Sequence, residues 1–111
     1  MAVVAKALVQ GQIIPNANTT VYTAPLAVTT ILDKVTTINY DSVVREMTIS
    51  IVPAGGSVGD AYYVAKHTFQ PKETYTWPEI VGQVLNQENF VSIIASNNTG
   101  LNVRISGREI T

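Results

Sequence analysis

Along residues 46–52 polar and apolar side chains alternate: Met47, Ile49 and Ile51 fall on one side, Glu46, Thr48 and Ser50 on the other. A repeat of two is that of an extended strand, and it predicts a strand here with one buried and one wet face. The same alternation sets Leu101, Val103 and Ile105 against Asn102, Arg104 and Ser106. The run Val91-Ser92-Ile93-Ile94 within residues 90–95 predicts a strand covered on both faces. Between these two segments lies Asn97-Asn98-Thr99-Gly100, whose residues tolerate positive φ, so a terminal hairpin is expected.

Turn formers punctuate the rest. Pro53-Ala54-Gly55-Gly56-Ser57-Val58-Gly59-Asp60 predicts a long hairpin loop leading into a strand over residues 61–69. Gln70-Pro71-Lys72-Glu73 predicts a further turn before Thr74-Tyr75-Thr76-Trp77, and Pro78 ends that strand or confines it to an edge. Residues 20–23 predict a short strand, and residues 81–85 a weaker one. In residues 29–40 the Asp33-Lys34 pair interrupts the alternation, as a bulge would. Val3, Val4, Leu8 and Val9 stand among alanines, so residues 1–10 predict an N-terminal arm or edge strand. No amphipathic helix and no internal repeat emerge. The sum is an all-β chain: one antiparallel β-sandwich domain over residues 1–111, jelly-roll or Ig-like, with about six to nine strands.

Composition adds a functional constraint. Only 14% of the residues are charged while 46% are hydrophobic, against about 25% charged in an average soluble domain. A surface so sparsely ionised is expected to be covered by neighbours, which points to a homo-oligomer or a subunit of something larger. Seven basic and eight acidic residues give a net charge of -1 with no run of one sign, so no nucleic-acid or anionic-membrane footprint exists. Lys6, Gln10 and Gln12 interrupt the N-terminal apolar stretch well short of a membrane span, and neither signal peptide nor anchor is expected.

Candidate chemistry is sparse. With no cysteine, a thiol nucleophile, a disulfide and a Cys-based zinc site are excluded. His67 is the single histidine, without HxH or HxxxH spacing, so no metal site and no cofactor are expected. Gly55-Gly56-Ser57-Val58-Gly59 matches the letters of a nucleophile elbow, yet it falls in the expected hairpin loop and not in a strand-to-helix turn. The carboxylates Asp33, Asp41, Asp60, Glu73, Glu79 and Glu88 are scattered, and no enzyme activity is expected. Tyr75 and Trp77, two apart on a strand, share a face; they suit a core cap or subunit contact, or alternatively a glycan platform. The candidate interface is therefore Val3, Val4, Leu8, Val9, Tyr62, Tyr63, Tyr75 and Trp77.

Three stretches, LVQGQIIPNANTTVYTAP, TTINYDSVVREMTISIVPAGGSVGDAYYV and VLNQENFVSIIASNNTGLNVRISGREI, span nearly the whole chain. In their order the chain resembles small virion proteins of tailed bacteriophages, and residues 103–110 are similar to that family's final strand. The turn Asn86-Gln87-Glu88-Asn89 departs from it, lacking the Gly-Asp that often precedes the penultimate strand. The resemblance implies a β-sandwich that decorates the capsid or belongs to the neck, tail or a fibre, without enzyme activity. The implied partners are copies of the chain and the major capsid protein or neck and tail proteins. The implied location is the virion, assembled in the bacterial host cytoplasm. The alternative is a carbohydrate- or receptor-binding module of a tail fibre.

Overall fold

A computed structural model of the chain describes residues 2–111. They form nine strands: β1 (Val3–Ile13), β2 (Thr19–Thr23), β3 (Thr29–Ile38), β4 (Arg45–Val52), β5 (Tyr63–Phe69), β6 (Thr74–Thr76), β7 (Val84–Leu85), β8 (Phe90–Ala95) and β9 (Asn102–Ile110). A single 3-10 turn, Asp60–Tyr62, leads into β5.

The pairing is nested. β1 pairs with β9, β2 with β8, β3 with β6 and β7, and β4 with β5, all antiparallel. The chain is thus one long two-stranded ribbon that doubles back at the loop between β4 and β5. Rolling the ribbon lays β9 beside β3 and β8 beside β4. Two sheets result, ordered β1-β9-β3-β6, with β7 also on β3, and β2-β8-β4-β5. Of the two sandwich topologies expected, this is the jelly roll.

The alternation in the sequence becomes burial. Met47 and Ile49 of β4 and Val91, Ile93 and Ala95 of β8 point inward from the second sheet. Leu32 and Val35 of β3 and Val103 and Ile105 of β9 meet them from the first. Their apolar area, withdrawn from water between two facing sheets, supplies most of the drive to fold. The interruption at Asp33-Lys34 is a bulge: the β3·β9 register shifts between Leu32 and Lys34. It keeps Leu32 and Val35 both inward while Asp33 reaches out to a bidentate pair with Arg108, at 2.8–3.1 Å. Pro78 follows a three-residue edge strand, where its missing N–H costs no ladder bond.

The terminal hairpin is not formed. β8 lies between β2 and β4 and β9 between β1 and β3, so residues 96–101 carry the chain from one sheet to the other. A two-residue hairpin turn requires positive φ at its centre. Among the described residues Asn97 and Asn98 do not adopt it; Gly100 does, at φ 112°. The two strands instead set Val91 and Ile93 against Val103 and Ile105 across the core, where each sheet already offers partners on both sides. Residues 1–10 are resolved in favour of the edge strand, since β1 pairs with β9 along its length; Met1 lies outside the described residues.

Candidate functional site

One flank of the sandwich is closed where edge strand β5 of the second sheet comes over edge strand β6 of the first. His67 and Phe69 of β5, Tyr75 of β6 and Trp77 just after it form an aromatic cluster there. The His67 and Tyr75 rings stack with centroids 3.7 Å apart and planes 6° from parallel. Phe69 and Trp77 lie beneath, 5.8 Å apart, with Tyr75 edge-on to Trp77 at 5.3 Å. Edge-to-face and stacked rings are favoured by the ring quadrupole. Trp77 is fully buried, and its indole N–H donates to the Thr37 hydroxyl at 3.0 Å.

Polar groups finish this seam. The Glu73 carboxylate accepts from the Gln70 backbone N–H at 2.7 Å and lies 3.1 Å from His67 Nε2. That backbone hydrogen bond, with His67 second, holds the Glu73 carboxyl below its ordinary range. Tyr75 donates to Glu79 at 3.1 Å. The His67 Nε2, the Tyr75 hydroxyl and the Trp77 indole N–H are thus engaged within the seam, as in a closed core.

A second network ties the sheets at the flank where β2 faces β1 and β9. The Tyr22 hydroxyl donates to Glu109 at 2.6 Å and lies 2.8 Å from the Thr30 hydroxyl, while Lys6 donates to the other Glu109 oxygen at 3.0 Å. Burial, followed by the Glu109 carboxylate, pushes the Tyr22 phenol up to about 12. The Tyr22 hydrogen bond in turn holds the Glu109 carboxyl below its ordinary value. A phenol raised in the folded state contributes stability below its unfolded pKa near 10, and that contribution is lost as pH rises toward about 12. A carboxyl lowered in the folded state contributes stability above an unfolded pKa of about 4.3, lost as pH falls through the folded value. Tyr22→Phe is therefore expected to remove the Tyr22 share of the alkaline loss between pH 10 and about 12, leaving that of Tyr75, and to shrink the acid loss that Glu109 contributes. Urea midpoints measured from acid to alkaline pH would check it; a profile identical to wild type would contradict this account.

At the end of the sandwich where β3 turns into β4, buried Asn39 organises the chain. Its amide donates to the carbonyls of Val43 at 2.8 Å and Gln70 at 3.1 Å, and its carbonyl oxygen accepts from the Asp41 N–H. Tyr40, Val43 and Val44 are left exposed on that turn.

The remaining features are surfaces. On the outer face of the second sheet a shallow groove of about 390 Å³ is lined by Thr48, Tyr63, Val64, Ala65, Lys66 and Ile94. On the outer face of the first sheet the register aligns Val3 with Ile110, and Ala5 with Arg108 and Ile31, while Ile31 also faces Val84. Cross-strand partners share a face, so an apolar strip crosses β1, β9, β3 and β7, interrupted by the Arg108–Asp33 pair. Val3 and Val84 are more than half exposed within it.

The eight residues expected at an interface are thereby separated. Val3, Val4 and Tyr63 are exposed, Tyr62 is partly covered in the 3-10 turn, and Leu8 and Tyr75 are half-buried against the core. Val9 and Trp77 are corrected to core residues: both point between the sheets, and neither can meet a partner or a sugar ring in this fold. The Tyr75–Trp77 pair is consequently no flat platform. Ile13, Val81 and Val84 are exposed apolar residues that sequence reasoning passed over. Val81 and Val84 lie in the stretch expected to be a weaker strand, of which only Val84–Leu85 pairs, and two residues do not show which face is covered. Ser57 sits exposed on the loop before β5, while His67 is held by Tyr75 and Glu73. No group of three or more His, Asp or Glu gathers as metal ligands among the described residues.

No protein family matches the chain, and no curated protein does. Among solved structures the fold is similar to a chain described under "Bacillus endospore appendages form a novel family of disulfide-linked pili". The likeness covers 98% of this chain and 88% of that one with a TM-score of 0.58, at 11% identity. At that identity it concerns the fold alone, and the jelly-roll sandwich is what the two share.

Proposed function

We propose that this chain is a non-enzymatic structural subunit that works by self-association and by docking onto a larger protein assembly. The observation that carries the reading is the apolar strip across the outer face of the first sheet, on a chain with only 14% charged residues. Exposed apolar surface gathered on one sheet face, even crossed by a single ion pair, is favourable when neighbours cover it. The jelly-roll likeness to a pilus-forming protein agrees with an assembly role. The link named for that relative is a disulfide, and this chain has no cysteine, so its own contacts cannot be of that kind.

The sequence resemblance supports a tailed-bacteriophage virion as that assembly, with the chain as capsid decoration or as a neck- or tail-associated component. Its partners are then its own copies and the major capsid, neck or tail proteins. Light scattering over a wide concentration range is expected to show mass rising above 12.0 kDa, and mass spectrometry of purified particles to find the chain at fixed stoichiometry. A monomer at every concentration would remove self-association; absence from the particles would remove the virion assignment.

The groove beside Tyr63 favours a second reading, a carbohydrate- or receptor-binding module. An exposed aromatic next to Thr48 and Lys66 offers a face and hydrogen-bonding groups to a sugar. Glycan-array binding lost in Tyr63→Ala would support this reading over the first.

A further inference from the structure

A sandwich has four sheet edges, and an unguarded edge invites another strand. Three of these edges are guarded among the described residues. β6 and β7 are three and two residues long and are separated by a turn containing Pro78. β2 is five residues long and bulged between Thr20 and Tyr22. β5 is seven residues long and bulged near its start. Short length, bulges and proline are devices that deter strand addition.

The fourth edge differs. β1 runs for eleven residues, and its ladder with β9 is unbroken from Val3 to Ala7, with register shifts only beyond Ala7. Within that irregular stretch the Gln10 carbonyl accepts from Arg104 at 2.8 Å. In residues 3–7 the orientation of the backbone follows from one contact: the Thr111 N–H donates to the Ala2 carbonyl at 3.0 Å, so Ala2 faces β9. Alternate residues of an antiparallel ladder face the same way. Val4 and Lys6 therefore turn their backbone groups toward β9, and Val3, Ala5 and Ala7 turn theirs outward. The side chains impose little obstacle, being valine and alanine apart from Lys6, whose amine is drawn to Glu109.

We infer that two copies of this chain join along β1, antiparallel about a two-fold axis through Ala5. This inference rests on the self-association reading and specifies its interface. The second copy is the fitting occupant because the edge is complementary to itself in that register. Ala5 opposes Ala5 of its partner and Val3 opposes Ala7, so every outward N–H meets an outward carbonyl. Lys6 opposes Val4, which avoids setting like charges face to face. The first sheet becomes continuous across the axis, β6-β3-β9-β1 followed by β1-β9-β3-β6. The apolar strip, which begins at Val3 and Ala5, continues into its copy.

The chain has no cysteine, so single-cysteine variants of the full chain report the register. Opposed residues in a hydrogen-bonded antiparallel pair lie about 5.5 Å apart at Cα, within disulfide range. Ala5→Cys is expected to form a covalent dimer under mild oxidation. Val3→Cys is not, because its copy lies about 14 Å along the strand. Ala5→Pro removes an outward N–H that β9 does not use, and is expected to weaken dimerisation at least about tenfold in sedimentation velocity. Ala5→Lys, which sets two ammonium groups at the axis, gives the same readout should the proline variant fail to fold. If wild type self-associates but Ala5→Cys stays monomeric on oxidation and Ala5→Lys associates normally, this interface is wrong and the self-association reading stands. A wild type that is monomeric throughout overturns both.

Discussion

Trp77→Ala is expected to lower unfolding free energy by about 3–5 kcal/mol, the range for removing a fully buried tryptophan. Against a total of roughly 5–15 kcal/mol for a domain, that leaves the fold marginal. Two effects add. The indole is lost from the seam where β5 of one sheet meets β6 of the other, leaving a cavity beside Phe69 and Tyr75. The Thr37 hydroxyl, itself buried, also loses its indole donor. Trp77→Phe keeps most of the volume and loses the N–H, so about 1–2 kcal/mol is expected. Urea denaturation followed by circular dichroism would measure both; near-equal costs for the two variants would show that volume contributes little. The same arithmetic rules Trp77→Ala out as a probe of surface binding, since it acts on the core before any ligand is present.

Gly107→Ala is expected to cost about 3 kcal/mol, the upper part of the range for overpacking. Gly107 sits in β9 between Lys6 of β1 and Leu32 of β3. A methyl group there would point inward and come within 2.7 Å of Leu8 Cδ1, and would strike the backbone carbonyl of Ile31. The side chain can give way, but the carbonyl belongs to a paired strand and cannot move alone. Leu8→Ala in the Gly107→Ala background should therefore recover only part of the loss, which a double-mutant cycle would read as partial coupling. Full recovery would place the whole obstacle in Leu8.

Both predictions concern places where sequence pattern and three-dimensional arrangement part company. The Tyr75–Trp77 spacing correctly puts both side chains on one face of a strand, but spacing does not say what lies over that face. β5 does, through His67 and Phe69, from the other sheet. Likewise Gly107 carries no positive φ and no turn context that would mark it; its need for glycine comes from how closely Ile31 and Leu8 approach. A strand near Val84 was expected, but its exposure was not legible, because two paired residues do not show which face the rest of the protein covers.

What the sequence alone determined was local. Alternation marked β4, β8 and β9, turn residues bounded them, the Asp33-Lys34 interruption announced a bulge in β3, and Pro78 limited β6 to an edge. Each follows from side-chain direction or backbone restriction within a few residues. The tertiary structure decided which strand lies beside which: β8 and β9, adjacent in sequence and separated by a good turn, entered different sheets. Pairing is settled by the burial available to every strand at once, and the nested ribbon covers both inward faces, whereas a closing hairpin would lay β8 and β9 side by side in one sheet.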